Sequence, residues 1–385
     1  MPAQPEALIL SGARTPITRA YKGALVDVDA FTLAEVVVAA AIERSGVPAA
    51  EIDDLVLAES MQGGGVIGRH TAVRLGFSHV PGLSNNRWCA AGLSAVQIAA
   101  SGILAGMDRL VVAGGAESLS SMPKLEKSFP ASAGNYQQWM SPSHPETPDA
   151  PAFDMSVTVG ENTAREAGIT RQDADEWAKW SHDRAALSSD EGWFDAEIVP
   201  VGDVTKDEQP RRDTTLERLG ELRLLHPEID GAVITAGNAA GLNDAAAAVV
   251  IADRSVADAH GLQPIGRVRS WASVGVEPAR TGMAPIDAIP KALARGGFTL
   301  GDIDLFEINE AFTPVAVATV RKLGIEPSIV NVNGSGCGLG HPIAATGTRM
   351  VVTMLNELER RGLTLGCVAM CAGGGMGSAL VVERL

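Results

Sequence analysis

The feature that most constrains this chain is that it repeats itself. Residues 46–59 read GVPAAEIDDLVLAE, and 251 positions later residues 297–310 read GFTLGDIDLFEINE. Gly46 matches Gly297, Ile52-Asp53 matches Ile303-Asp304, and Glu59 matches Glu310. Each copy follows an alanine-rich helical pattern, AEVVVAAAIERSG in one half and DAIPKALARGG in the other, and each runs into a short apolar strand. Further on, LVVAGGAES (110–118) resembles VAMCAGGGMG (368–377) after about eight inserted residues. Several blocks agreeing in order make chance a poor explanation, so the chain reads as two copies of one α/β unit.

The patterns alternate. The first copy predicts a helix over 30–45, a strand over 54–58, a helix over 90–106 and a strand over 109–113. The second predicts a helix over 285–295, a strand over 303–308, a helix over 343–361 and a strand over 366–371. Alternation of this kind favours sheets covered by helices on both faces, and nearly continuous apolar strands such as LVVAG suit double-sided burial. Between the copies lies a different region, about 117–230, with runs such as SPSHPETPDAPAF and tryptophans at 139, 177 and 180. Within it, ITRQDADEWAKWSHDRAALSSDEG predicts a helix capped by Thr170, with Asp173 three residues later. A long irregular insertion on a repeated scaffold is where substrate-binding loops collect, although a merely decorative insertion is the alternative. The expected organisation is an N-terminal half over 1–116, an inserted loop domain over 117–230, a return to the first half over 231–250 and a C-terminal half over 251–385.

Bulk properties narrow the function. A chain of 385 residues with only 20% charged residues can bury two or three cores and is not disordered. Its beginning, MPAQPEALILSGARTPITRA, lacks the basic and apolar regions of a secretory signal, and apolar windows are broken well before the ~18–20 residues of a membrane span. Four cysteines make no disulfide scaffold, so a reducing, cytoplasmic setting is expected. A net charge of −15 argues against nucleic acid as a main partner. It leaves room for an anionic small molecule held by local arginines or helix N-termini.

Chemistry points to the loops before the helices. Cys89 sits in NNRWCAAGLSA, where a polar loop turns into a helical run; the plain reading is a buried small hydrophobe. The sharper reading is a nucleophile whose pKa a helix N-terminus lowers. Adding the repeat offset to Cys89 lands beside His341, in NVNGSGCGLGHPIAATG. If the two units pack with pseudo-twofold symmetry, thiol and imidazole meet as a nucleophile–base pair. Taken alone, His341 is better read as a structural loop histidine. MCAGGGMG places Cys371 before three glycines whose N–H groups can approach a ligand closely, or which simply make a tight turn. FEINEAF puts Asn309 and Glu310 at a strand's C-terminal end, where α/β sites collect; helix capping is the alternative. Zinc is rejected as a ligand of Cys367 and Cys371. With VAM between them extended, they lie about 13 Å apart at ~3.3 Å per residue, too far to share one ion.

NRWCAAGLSA, NEAF, NVNGSGCGLGHPIAATG and CAGGGMG, in this order, resemble the thiolases, the acetyl-CoA acyltransferases. ARTPI near the start and TAGNAAGLNDAAAA at 235–248 resemble thiolase blocks too. The resemblance implies an α/β, five-layered αβαβα fold of two pseudo-repeated units plus an inserted loop domain covering the CoA site. It implies a homodimer, or a homotetramer built as a dimer of dimers. It implies thiolytic cleavage of 3-oxoacyl-CoA, as in fatty-acid β-oxidation, and the reverse Claisen condensation, through an acyl-cysteine and without metal or redox cofactor. Coenzyme A and its thioesters would be the substrates. By the same match Cys89 is the nucleophile, His341 activates it, and Cys371 is the acid/base at the α-carbon of the second acyl-CoA. Asn309 holds a water that, with His341, forms one oxyanion hole; the N–H groups of Cys89 and Gly373 form the other.

The chain departs from the family pattern at Ser335, Gly336, Cys337 and Ala344, and at Ala240, where many members carry a serine that touches the pantetheine. Met155, Ala240 and Gly241 are candidates for substrate contact, and Arg211 and Arg212, with Arg218 and Arg223, for the CoA phosphates. A solvated helix face is the alternative for the arginines. Two other readings stand beside this one: a short-chain enzyme specialised for acetoacetyl-CoA, and a non-catalytic acyl-CoA-binding protein of the same fold.

Overall fold

The computed structural model describes residues 5–62, 64–128 and 136–385. The repeat is visible in it at the level of single hydrogen bonds. Helix Ala30–Ser45 ends on left-handed Gly46, and helix Ala284–Gly296 ends on left-handed Gly297. Each is followed by a single 3-10 turn, Ala49–Glu51 and Leu300–Asp302, and then by a strand. Asp53 accepts the N–H groups of Arg109 and Leu110 at 2.7 and 3.0 Å. Its repeat partner Asp304 accepts those of Thr364 and Leu365 at 2.9 and 2.8 Å. In both halves one aspartate therefore ties the start of one strand to the start of its parallel neighbour.

The strands follow the same plan twice. In the first half Leu8–Arg14 pairs antiparallel with Asn243–Ala252, which pairs antiparallel with Leu110–Ser118. That strand runs parallel to Asp54–Ala58, which in turn runs parallel to Leu83–Asn85. In the second half Gly266–Gly275, Met376–Arg384, Leu365–Ala372 and Leu305–Ile308 repeat this order and sense. A parallel bridge from Phe306 to Val330 marks the fifth position. The halves join where Leu8 and Ile9 pair with Arg267 and Gly266.

Strand alternation then sorts side chains into three cores. Leu110, Val112 and Ala116 face an outer core with helix Ala30–Ser45, whereas Val111 and Ala113 face the centre. Val368, Met370, Leu380 and Val382 face that same centre from the other half, while Ala369, Cys367, Ala379 and Val381 face a second outer core. Helices Ala91–Leu104 and Ile343–Arg361 fill the centre, and Ala284–Gly296 and Thr313–Leu323 cover the far side. The result is the expected five-layered arrangement of helices and sheet. Side chains alternating to opposite faces, both of them apolar, produce it.

Sequence-derived boundaries hold within a few residues. The strand expected over 109–113 runs on to Ser118, because its glycines and Glu117 stay paired with Asn243–Ala252. The capping box at Thr170 and Asp173 is present and opens helix Arg171–Asp190. No helix among the described residues is long and apolar enough to cross a membrane.

Candidate active site

The two central helices start side by side. Gly92 and Gly347 make the approach possible: a Cβ on Gly92 would lie 2.4 Å from the Ala344 carbonyl, and one on Gly347 would lie 2.2 Å from the Leu93 nitrogen. Thr348 Oγ1 donates to the Gly92 carbonyl at 3.0 Å across this contact. Cys89 stands two residues before the first of these helices and His341 two residues before the second. Trp88 is held in the left-handed region at φ 46°, a conformation rare for a bulky side chain and typical of functional turns. Asn86 Oδ1 accepts its N–H at 2.7 Å, and its carbonyl accepts from Ala91 N–H at 2.9 Å.

Cys89 and Cys371 open together onto an apolar cavity of about 200 Å³. Gly373, Ile343, Trp88 and Met61 line it from the scaffold, Ser143, Phe153 and Met155 from the insertion, and Ala311 and Phe312 from the loop after Asn309. Three of the four cysteines are buried; Cys89 alone is half-buried. The plain reading of a core thiol fits Cys337 and Cys367 but not Cys89. Cys337 packs with Ala178 and Leu219, and Cys367 and Cys371 lie on the unbroken strand Leu365–Ala372.

The expected lowering of the Cys89 pKa is overturned. Burial pushes the thiol up to about 11, although the N–H groups of Gly373 and of Cys89 itself donate toward its sulfur and pull the other way. The nearby Glu117 carboxylate adds to the rise. A helix N-terminus does not offset desolvation in so apolar a cavity. Burial likewise pushes Cys371 well above the ordinary thiol range, and the neighbouring Cys89 adds to it. Both thiols therefore rest protonated, and a nucleophile here needs a proton acceptor.

His341 is built as one. Burial, with the charge of Arg349, lowers its pKa to about 3, so the ring is neutral. Thr346 Oγ1 donates its single proton to the Pro342 carbonyl at 2.8 Å and lies 2.7 Å from His341 Nδ1. The ring must then donate from Nδ1, which leaves the Nε2 lone pair open. His341 Nε2 is buried and has no hydrogen-bond partner. The backbone is fixed as well, since His341 N–H donates to Asn243 Oδ1 at 2.9 Å.

Asn309 and Glu310 do different jobs, and neither caps helix Thr313–Leu323. Glu310 is an anchor. It accepts from Trp177 Nε1 at 2.8 Å, Ser181 Oγ at 2.6 Å, Asn331 Nδ2 at 2.7 Å and the Cys337 N–H at 3.1 Å. Asn309 is fully buried, and both its Nδ2 and Oδ1 lack a partner. Buried polar atoms are almost always paired, so an asparagine and a histidine nitrogen left open are groups kept for a ligand or a water.

Other candidates fall further out. Met155 lines the cavity as expected, but Arg211, Arg212, Ala240 and Gly241 do not. Ala240 N–H donates to the Ala311 carbonyl at 3.0 Å, just behind the cavity wall, and Gly241 lies against the Gln209 side chain. Arg212 is paired with Asp190, and Arg218 with Asp213 rather than with Glu217 or Glu221. Arg14, from ARTPI, is buried and bound to Glu197 and Asp207, which ties the first strand to the insertion. Sequence reasoning missed Thr346, Glu117, Ser143 and Trp88. The spacing of Thr346 from His341 on one helix start, and the bulk of Trp88 beside Cys89, were the available signals. Ser143 lay in an irregular loop with no periodicity to read.

Comparison with known proteins places the whole chain in one family. Residues 7–255 match the family model of the thiolase N-terminal domain and residues 262–384 that of the thiolase C-terminal domain. The chain is 40% identical to the acetyl-CoA acetyltransferase of Escherichia coli K12, over 98% of this chain and 99% of that protein. The crystal structure of the Bacillus anthracis acetyl-CoA acetyltransferase superposes with a TM-score of 0.90 at 35% identity, covering 100% of both chains. Human mitochondrial 3-ketoacyl-CoA thiolase in complex with CoA superposes with a TM-score of 0.89 at 29% identity, over 99% of this chain and 98% of that one. Two half-sites on a repeated scaffold, a half-buried thiol and a neutral histidine with an open Nε2 thus belong to a member of the thiolase family of acyltransferases.

Proposed function

We propose that this chain catalyses thiolysis of 3-oxoacyl-CoA by CoA, and the reverse Claisen condensation, through an acyl group carried on Cys89. The observation that carries the reading is a cavity lined by two protonated thiols whose nucleophile, Cys89, stands at a helix start packed against the helix start that follows a neutral His341 with an open Nε2. In the first half-reaction His341 Nε2 takes the Cys89 proton as Sγ attacks the thioester carbonyl. The N–H groups of Cys89 and Gly373, which already point at that sulfur, receive the developing oxyanion. The displaced CoA thiolate takes the proton back from His341 and leaves; in the thiolytic direction Sγ instead attacks the 3-oxo carbonyl, and the acetyl-CoA enolate released by the C–C cleavage takes its proton from Cys371. In the condensing direction Cys371 then removes a proton from the α-carbon of the second thioester. A water held by Asn309 and the open Nε2 would donate to the enolate oxygen while its carbon attacks acyl-Cys89; the Cys89 thiolate so released takes up the proton that Cys371 had removed. In thiolysis the incoming CoA thiol attacks acyl-Cys89 instead, giving its proton to the Cys371 thiolate while Cys89 takes its own back from His341.

The insertion would cover the CoA, since Ser143, Phe153 and Met155 already wall the cavity. The arginines at 211 and 212 would meet phosphate only by leaving solvent or, for Arg212, its pairing with Asp190. The proposal includes a cytoplasmic homodimer or dimer of dimers without a resident cofactor. Steady-state kinetics with acetoacetyl-CoA and CoA test it. Parallel, ping-pong lines and loss of turnover in Cys89→Ala, with CoA binding retained, are expected. Intersecting lines, or turnover surviving in that variant, would sink the acyl-cysteine route.

A further inference from the structure

Beside the thiol cavity lies a second one, of about 280 Å³. The two share Met61, Trp88, Met140 and Ser141 as a common wall. Beyond that wall the apolar part of the second cavity is lined by Met122, Pro123, Leu125 and Trp139, and Ser60, Asn86, Lys124 and Gln138 make its polar part. The other wall of the thiol cavity is closed by Val159, Ala311 and Phe312, which pack against the buried Cys371. Among the described residues, the largely apolar continuation open to a chain growing away from Cys89 lies on the Trp88 side.

The shared wall is built in a particular way. Trp88 keeps its left-handed backbone because neighbours hold both of its polar groups, Asn86 at the N–H and Ala91 and Ser60 at the carbonyl. Strain of that kind persists where the surroundings fix a side chain in a required place. Here it sets the indole between the nucleophile and the second cavity. Beside the indole stand Met61 and Met140, whose unbranched side chains adapt to irregular apolar ligands. An acetyl group offers nothing for such a wall to hold, whereas an alkyl chain would bury apolar surface along all three side chains.

We infer that the acyl chain of the substrate runs from Cys89 past Trp88 into this second cavity, so that the enzyme acts on 3-oxoacyl-CoAs longer than acetoacetyl-CoA. The inference rests on the acyl-cysteine reading above. The test compares kcat/KM for 3-oxodecanoyl-CoA with that for acetoacetyl-CoA in the wild-type chain and in Met122→Lys and Leu125→Lys. Both substitutions place a further charge in the second cavity beside that of Lys124, one in the loop before strand Leu125–Ser128 and one at its first residue. Because the ratio is taken within one preparation, any loss of folded protein cancels.

The wild-type ratio is expected at or above one. It should fall roughly tenfold or more in each variant, the scale on which apolar pockets discriminate chain length. A wild-type ratio far below one would overturn the inference while leaving the thiolase reading intact. So would a ratio unchanged in both variants, including the case where acetoacetyl-CoA and 3-oxodecanoyl-CoA lose equally, which would place the pantetheine arm there instead. Absence of turnover on either substrate, with no acyl group on Cys89, would remove the acyl-cysteine reading itself.

Discussion

The two halves of the repeat reach the cavity through equivalent helix starts but bring different chemistry to it. The N-terminal half supplies a half-buried thiol, Cys89, and little else: at the position equivalent to Asn309 it has Ala58, packed with Ala91 and Ala344. The C-terminal half supplies Asn309, His341 and Cys371, all buried. The glutamates differ in the same way. Glu59 accepts from the N–H groups of Gly65 and Ile67 and so caps the next helix, whereas Glu310 gathers four donors from the insertion and the His341 loop. A duplicated scaffold thus provides two facing loop sets, and only one was turned into polar machinery. Burying that machinery in a single half limits the number of unpaired polar groups that the fold must carry.

This contrast can be broken by experiment. The largest expected effect is at Cys371. Cys371→Ala should lower turnover roughly 10²–10⁴-fold, the range for a lost acid/base, while the acyl group still forms on Cys89. Rapid-quench labelling reads both, and failure to acylate Cys89 would show that the halves do not act in separate steps. Next come the glutamates. Glu310→Ala leaves four buried donors without an acceptor and should cost roughly 3 kcal/mol or more, against about half that for Glu59→Ala. Equal shifts in denaturant midpoint would erase the distinction drawn between them.

Titration gives a smaller signal. With its pKa raised to about 11, Cys89 should be alkylated by iodoacetamide about tenfold faster per pH unit, without a plateau near neutrality. The sign follows from the thiolate being the reactive form, whose fraction grows until the pH passes the pKa. His341, neutral above about pH 3, should add no step near neutral pH. A plateau below pH 8 would mean that the resting site holds a thiolate. The smallest effect is expected for Thr346→Val. It removes the acceptor that fixes the histidine tautomer and should cost roughly five- to tenfold in kcat, about the value of one hydrogen bond.

Much of this was legible in the sequence because it was written in repeats and periods. The agreement of GVPAAEIDDLVLAE with GFTLGDIDLFEINE located two helices and two strands, and it matched Asp53 with Asp304, whose shared strand-tying bonds only the structure shows. Cys89 and His341 stood at loop positions that the repeat offset brings together, and Asn309 and Cys371 at the ends of strands. What stayed hidden depends on burial. The direction of the Cys89 shift is set by how dry the cavity is, and neighbouring residues in sequence do not report that. The orphaned atoms of Asn309 and the place of Ser143 against the Gly373 loop depend on how segments far apart in the chain pack, while the His341 tautomer needs the actual geometry of the nearby Thr346 hydroxyl. The arginines misled for a related reason: charge clusters attract partners within the fold, and Asp190 and Asp213 lie within reach of Arg212 and Arg218.

The most direct measurement is intact-protein mass spectrometry after brief mixing with acetyl-CoA, followed by peptide mapping of the folded, reduced protein. One added acetyl group, mapped to Cys89 and absent from Cys371, is the predicted result, because Cys89 is the half-buried thiol, stands at a helix start beside the one that follows His341, and already receives the N–H groups of Gly373 and of its own backbone. A stable acetyl group on Cys371, or none on either cysteine with acetyl-CoA and with a longer acyl-CoA, would contradict the division of labour between the two halves.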